Sequence, residues 1–385
     1  MARRVVTQKK VAPAPADTRD RLARMQSVAA RFGAWRPAAQ VLTRVSAVPT
    51  RFVQVDHATR VAGWPIERFA TVHGPSNHGK TAFCHGLGLS FLERGHFYAF
   101  VDAEYTTPED WLAKLMGEHS THPGFVALRP KSFEETVDAV RAFCEQVAEA
   151  RDKGEIEPDT SAIIVVDSMK KLSPQRLLDR IAKEGAEGKK GSVDGYGGRA
   201  AQFKAALISQ WLDEMVPLLY HTRTSMVAIT READDPAADA RDVQFDNAWK
   251  VQGGKSLVYE ASLVVRITRD SWLRESADKD SRIVGERHRA RIWKTKVGGK
   301  DDKHTDAFFH TSNGVQTPEG FDRARDVLEL AIASGLVEQA GAWYRWRDRK
   351  WNGEAKALHA LTGDVLVLVE MENEVRALDA PKEAP

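Results

Sequence analysis

Apolar residues in this chain gather in short runs rather than long stretches. Such runs occur at Phe97–Val101, Ala162–Val166, Ser225–Ile229, Ser262–Ile267 and Arg289–Trp293, with helical spacing between the earlier ones. A run that is apolar at nearly every position predicts a strand buried on both faces. Strands of this kind alternating with helices predict an α/β fold with a mostly parallel sheet. Near the start, Leu22, Met25, Val28, Ala29 and Phe32 recur at helical spacing behind Thr18, which reads as the helix cap, and ahead of Gly33. A stripe so short must pack on the core or on a neighbour. Pro13 and Pro15 within Lys9–Ala16 predict an extended linker before it. Beyond Gly314 the pattern predicts a helix over Asp322–Ser334, then the basic-aromatic stretch Trp343–Trp351, then a final helix or strand. These changes predict a basic arm with an oligomerisation helix over 1–45, a core over 46–314, and a small C-terminal α+β domain with an acidic tail over 315–385.

Two polar stretches interrupt the core. Lys183–Gly198 is rich in glycine and lysine, and Arg231–Gly254 is polar and broken by proline. Structureless loops of that length inside a compact domain are usually functional or disordered.

Composition narrows the class only a little. At 385 residues, 42% hydrophobic and 29% charged, the chain has ordinary globular composition and room for two or three domains. Cys84 and Cys144 lack metal-site spacing and are too few for a disulfide framework, which predicts a reducing, cytoplasmic setting. No apolar run approaches the ~20 residues of a membrane span. Met1-Ala2-Arg3-Arg4 leads into no apolar stretch, so no secretory signal is expected. The net charge of +2 is unevenly spread. Basic residues from Arg3 to Arg60 face only Asp17, Asp20 and Asp56, whereas the end carries Asp364, Glu370, Glu372, Glu374, Asp379 and Glu383 against Arg376 and Lys382. This asymmetry points to an anionic partner, nucleic acid first, or to contact between neighbouring subunits; plain solvated charge is the alternative.

Chemistry concentrates at Gly74-Pro75-Ser76-Asn77-His78-Gly79-Lys80-Thr81, which spells G-x-x-x-x-G-K-T. Glycines at those positions let backbone N–H groups turn inward onto phosphate oxygens. The lysine neutralises the outer phosphates, and the threonine hydroxyl helps to hold Mg²⁺. Arg68–His73 reads as the strand before this loop. Thr81–Leu92 reads as the helix after it, with Phe83, Leu87 and Phe91 on one face, so a helix N-terminus faces the phosphates. The octet therefore predicts a bound nucleoside triphosphate. Phe100-Val101-Asp102-Ala103-Glu104 ends a strand at the edge where that nucleotide belongs, and Glu104 is suited to orienting or deprotonating an attacking water. Ile163–Val166 ends in Asp167, a second carboxylate suited to Mg²⁺.

At these residues the chain resembles the RecA recombinase family. Val101-Asp102-Ala103-Glu104 is similar to that family's catalytic-glutamate strand, and Val165-Val166-Asp167-Ser168 to its Mg²⁺-side strand. Gly253-Gly254-Lys255-Ser256-Leu257-Val258-Tyr259-Glu260-Ala261-Ser262 resembles the end of its second DNA-binding loop. Trp293-Lys294-Thr295-Lys296 resembles its paired-lysine strand, and Ala340-Gly341-Ala342-Trp343-Tyr344 the start of its C-terminal module. The likeness runs in order from about residue 46 to 357. It implies a RecA-like P-loop ATPase core, with ATP and Mg²⁺ as cofactors. Lys294 and Lys296 would reach the γ-phosphate of the next subunit's ATP; an exposed basic strand edge is the other reading of that pair. Trp111 falls at an adenine-stacking position, where a helix-core residue is the alternative. Tyr259 falls at a position used in signalling between subunits, and the two polar stretches correspond to loops that hold DNA.

The chain departs from the family at Thr230-Arg231, where Asn-Gln is usual. The family's glutamine senses the γ-phosphate. Arg231 either pairs with that phosphate as an arginine finger or breaks the coupling. The second loop is also acidic, with Glu232, Asp234, Asp235, Asp239, Asp242 and Asp246, which disfavours DNA phosphates and leaves backbone groups, Phe245 or Trp249 to make contact. Trp343, Trp346 and Trp351 with their arginines read either as a nucleic-acid patch or as the core of a small module. The expected function is a DNA-dependent ATPase of recombination and repair. It would form a homo-oligomeric filament on single-stranded DNA and pair it with duplex DNA. The alternatives are a ring helicase or annealing-accessory ATPase, and a nucleotide-binding scaffold without strand exchange.

Overall fold

The computed structural model describes residues 16–29, 31, 45–186, 197–241, 248–276, 278–298 and 305–378. The chain divides into two compact units, Met1–Arg44 and Val45–Pro385. The first contains the helix Ala16–Ala29, on which Met25 and Val28 are exposed. This helix begins before Thr18, so Thr18 lies in its first turn instead of capping it. Pro13, Pro15, Phe32 and Gly33 are outside the described residues.

In the second unit, β1 (Ala47–Val48) and β2 (Trp64–Pro65) form a short antiparallel ribbon. The central strands are β3 (Phe69–His73), β4 (Phe97–Asp102), β5 (Phe125–Leu128), β6 (Ala162–Asp167) and β7 (Thr224–Ile229). A small ribbon, β8 (Glu232–Asp234) with β9 (Trp249–Val251), precedes β10 (Leu263–Arg274), β11 (Ile283–Thr295), β12 (Thr305–Ser312) and β13 (Gly320–Phe321). One nine-stranded sheet runs in the order β13-β12-β11-β10-β3-β7-β6-β4-β5. It is parallel from β10 to β5 and antiparallel from β10 to β13. The α/β expectation therefore matches. The apolar run at Ser262–Ile267 is only the start of a longer strand, because β10 continues past its buried half into a polar hairpin with β11.

The apolar runs owe their continuity to two cores. Side chains alternate along a strand. On one face Tyr98, Phe100, Ile163, Val165, Val227 and Ile229 pack against Phe83, Leu87 and Phe91 of the helix Lys80–Leu92. On the other face Ala99, Val101, Ile164, Val166, Met226 and Ala228 pack against Trp211, Leu212 and Met215 of the helix Gly197–His221 and Val140 of the helix Phe133–Asp152. A third cluster joins the helix Arg323–Ala333 to a three-stranded meander and two closing helices, Glu354–Gly363 and Val365–Ala377. The meander comprises β14 (Glu338–Ala340), β15 (Trp343–Trp346) and β16 (Arg349–Asn352).

That meander separates the tryptophans. Trp346 is buried, Trp351 packs against the cluster, and Trp343 faces outward beneath the Lys350 ammonium at 4.4 Å. Two of the three are thus core residues. The described part of the acidic stretch is engaged locally, and Glu372 is buried. Asp364 caps the last helix, Glu372 binds Arg323 and Arg376, and Glu370 and Glu374 bind Arg347. Asp379 and Glu383 are outside the described residues, as are 187–196 of the glycine-lysine stretch.

Candidate nucleotide site

The phosphate loop leaves the carboxyl end of β3 as expected of a parallel sheet. Gly74 has φ 147°, and a Cβ there would meet the Ile267 carbonyl oxygen at 2.1 Å. Gly79 caps the helix Lys80–Leu92 in the left-handed region, φ 88°, and a Cβ would meet the His288 ring at 2.7 Å. Both positions therefore require glycine. The Lys80 ammonium donates to the Pro75 carbonyl at 2.6 Å, so the lysine folds over its own loop. Burial lowers its pKa, with the nearby Asp167 carboxylate opposing that effect.

Next to this loop β4 and β6 lie side by side, with Asp102 level with Asp167. Thr81 Oγ1 donates to Asp167 Oδ2 at 2.6 Å, which joins the loop threonine to the second carboxylate. Burial pushes the Asp167 carboxyl up to about 6 against the bond from Thr81. A hydroxyl and a carboxylate oxygen beside a phosphate loop form the hard oxygen donor set that Mg²⁺ takes. Among the described residues no group of three or more His, Cys, Asp or Glu is placed to hold a metal alone. A Mg²⁺ here would draw its remaining ligands from phosphate and water.

Glu104 follows β4 and has two partners. Ser168 Oγ donates to its Oε1 at 2.7 Å, and Arg231 Nη2 reaches Oε1 at 3.0 Å and Oε2 at 3.2 Å. Burial alone would raise its pKa, but the bonds from Ser168 and Arg231 outweigh burial and leave it below the usual range. Asp102 plays a different part. It accepts from Arg129 Nε at 3.1 Å and lies close to the amides of Thr106 and Thr107, which fixes the turn out of β4.

A cavity of about 420 Å³ opens beside the loop. Asn77, His78, Gly79, Lys80 and Thr81 form one wall, and Trp111 forms part of another. The Trp111 ring meets His85 edge-on at 5.6 Å, so it is packed on one side and open to the cavity on the other. Arg269 and Glu286, which the sequence did not single out, close the antiparallel side. Arg269 Nη2 donates to the Asn77 carbonyl at 2.7 Å, its backbone N–H to His78 Nδ1 at 2.9 Å, and its Nε to Glu286 at 2.8 Å. The legible signal was a charged residue just past the buried half of an apolar strand.

Comparison with known proteins agrees with this geometry. The family described as RecA N-terminal domain matches residues 32–312. The chain belongs to the RecA family. Its relatives include Protein RecA of Kineococcus radiotolerans, 25% identical over 383 residues and covering 96% of this chain and 97% of that one. Protein RecA of Heliobacterium modesticaldum is 24% identical over 334 residues, covering 86% and 83%. Among solved structures, the RadB recombinase aligns with TM-score 0.42 and 16% identity over 67% of this chain and 93% of its own. Membership assigns the chain to the recombination ATPases.

Two parts of this RecA-family protein differ from expectation. The stretch Arg231–Gly254 is not structureless, because β8 and β9 pair at its base. Nor is all its acid free to repel phosphate. Glu232 accepts from Arg266 at 2.8 and 2.9 Å and contacts His73 Nδ1 at 3.3 Å, and Asp235 pairs with Lys250 at 2.6 Å. Burial would raise the Glu232 pKa, but Arg266 and then His73 hold it down at about 2. Trp249 packs at a tilt against His73 at 4.5 Å and Trp293 at 5.5 Å, with the Arg266 guanidinium above it at 4.8 Å. It is therefore packed among these side chains and half-buried. Asp242, Phe245 and Asp246 lie outside the described residues.

The lysine pair lies away from the loop. Lys294 Nζ donates to the Val258 and Tyr259 carbonyls at 2.6 and 3.0 Å, and Lys296 Nζ to Tyr259 at 2.7 Å. Lys294 is level with Val264, and Val264 with Thr71 of β3, whereas the phosphate loop begins beyond His73. Both ammonium groups thus converge beside the exposed Tyr259, with Lys294 level with the middle of β3 and Lys296 level with its start.

Proposed function

We propose that this protein is a cytoplasmic DNA-dependent ATPase that assembles as a filament on single-stranded DNA and catalyses homologous pairing and strand exchange. The observation that carries the reading is the lysine pair. Lys294 and Lys296 converge on the Tyr259 carbonyl, short of their own phosphate loop. That arrangement suits action on a neighbour's ATP, which makes nucleotide binding and polymerisation one event. The cavity and the Thr81–Asp167 pair support ATP and Mg²⁺ as cofactors.

In this reading the loop N–H groups and Lys80 bind the phosphates, Trp111 stacks on the base, and Thr81 and Asp167 hold the cation. Bound Mg²⁺ supplies charge neutralisation at the phosphates. Glu104, oriented by Ser168, positions the attacking water and accepts its proton. The next subunit's Lys294 and Lys296 stabilise charge developing on the transferred group. The test is ATP hydrolysis with and without single-stranded DNA at stated salt, joined to electron microscopy with a nonhydrolysable ATP analogue. Steep stimulation, loss of hydrolysis in Lys80→Ala, and open helices on DNA are expected. Flat hydrolysis would count against DNA dependence, and closed rings would favour a ring ATPase.

A further inference from the structure

Glu104 is held by two side chains of its own chain. A carboxylate that accepts from a hydroxyl and from a guanidinium at both oxygens has few lone pairs left for water, and its charge is balanced. The cation that holds it is also near the phosphates. β7 pairs with β3, and the Thr230 amide donates to the Val72 carbonyl at 2.9 Å, so Arg231 leaves its strand beside the start of the phosphate loop.

The backbone around Arg231 is held. Its carbonyl accepts from Gln252 N–H at 2.9 Å, and the next residue, Glu232, is gripped by Arg266 and His73. The freedom at this point belongs to the Arg231 side chain, which is 39% exposed. A guanidinium on a fixed backbone, between a carboxylate and a phosphate site, has two anions to choose from. A terminal phosphate carries more charge than a carboxylate and offers the same fork geometry.

We propose that Arg231 moves between these two anions. It holds Glu104 while the γ-phosphate position is empty and transfers to the γ-phosphate of bound ATP, releasing Glu104 to position water. ADP lacks that phosphate and leaves Glu104 held, so the base is exposed only when there is a bond to cleave. Arg231 is then a positioning residue for Glu104 as well as a ligand of the substrate. The inference rests on the reading that the site binds ATP.

The test is a double-mutant cycle on binding, free of turnover. Affinities for a nonhydrolysable ATP analogue and for ADP, each with Mg²⁺, are measured by calorimetry on the full chain. The proteins are wild type, Glu104→Gln, Arg231→Gln and the double variant. Gln at 104 still accepts from Ser168 but no longer competes for the guanidinium. Glu104→Gln is expected to tighten the ATP analogue about tenfold and ADP less than about twofold. In the Arg231→Gln background the same change is expected to tighten the analogue less than about twofold. Arg231→Lys keeps the charge without the fork and is expected to retain a weaker ATP preference. Equal tightening in both backgrounds, or equal tightening of ADP, would overturn the proposal alone. Absence of any nucleotide binding that depends on Lys80 would overturn both it and the ATP reading.

Discussion

If Lys294 and Lys296 complete a neighbour's site, two inactive proteins should repair each other. One variant carries Glu104→Gln, and the other carries Lys294→Ala with Lys296→Ala. The pairing Lys294–Val264–Thr71 puts Lys294 two strands across from β3 and about three residues short of Gly74. At ~3.3 Å per residue and ~4.8 Å between strands, its Cα lies roughly 14 Å from the loop's start. Lys296 is further, because its amide bonds Ser262 and the Ser262 amide bonds Phe69, which adds two residues and brings the separation to roughly 19 Å. A lysine side chain spans only ~6 Å, so neither reaches its own loop. Each variant alone is expected to lose about 10²–10³ in turnover. In an equimolar mixture, half of the protomers supply an intact Glu104 and half supply intact lysines. Head-to-tail assembly therefore makes about one interface in four complete. Hydrolysis of ATP at saturating DNA, measured by phosphate release, should rise to about one quarter of the wild-type rate. A mixture no faster than its two components would refute the trans assignment, because a site assembled within one chain gains nothing from mixing.

Trp111→Ala should weaken nucleotide binding by about 1–3 kcal/mol with little loss of stability, since the ring is half open to the cavity; unchanged affinity by titration would return it to a packing role. Glu232→Gln should destabilise the fold by about 3 kcal/mol near neutral pH by stranding the buried Arg266 guanidinium. Because the Glu232 pKa falls from 4.5 to about 2 in the folded protein, the wild-type advantage is full above pH 4.5 and disappears as pH falls through about 2. Thermal melts whose difference does not change with pH would contradict that assignment. Trp346→Ala should cost about 3–5 kcal/mol, whereas Trp343→Ala should cost under about 1 kcal/mol in urea unfolding, because one is buried and the other is 40% exposed. Equal losses would mean that the meander's outer face is not solvent.

The sequence was most legible where chemistry and geometry coincide. Gly74 and Gly79 occupy backbone conformations that other residues resist, and Asp167 ends a buried strand with its carboxylate bonded to the loop threonine. The apolar runs were readable because each central strand is buried on both faces. Partnership between distant charges was not readable. Glu232 looked like a residue that repels phosphate because its partner Arg266 lies 34 residues away, on β10. Arg231 showed as a departure from the family, but its contact with Glu104 spans 127 residues and follows no local pattern. The pairing of Glu370 and Glu374 with Arg347 of the meander was unreadable for the same reason. Local spacing specifies helices and strands, whereas charge pairing is fixed only by the completed fold.

The two-sided strand β6 also limits how this protein can change length. Ile163 and Val165 serve one core while Ile164 and Val166 serve the other. Inserting one residue would exchange those sets, turning each core's contents out to the opposite side. It would also displace Asp167 by ~3.3 Å from Thr81, to which it is now bonded at 2.6 Å. Insertions and deletions accumulating in this lineage should therefore avoid β6 and collect beyond the strand ends, as in the hairpin between β10 and β11. Packing and the Thr81–Asp167 bond impose the same length on that strand, and neither can relax it alone.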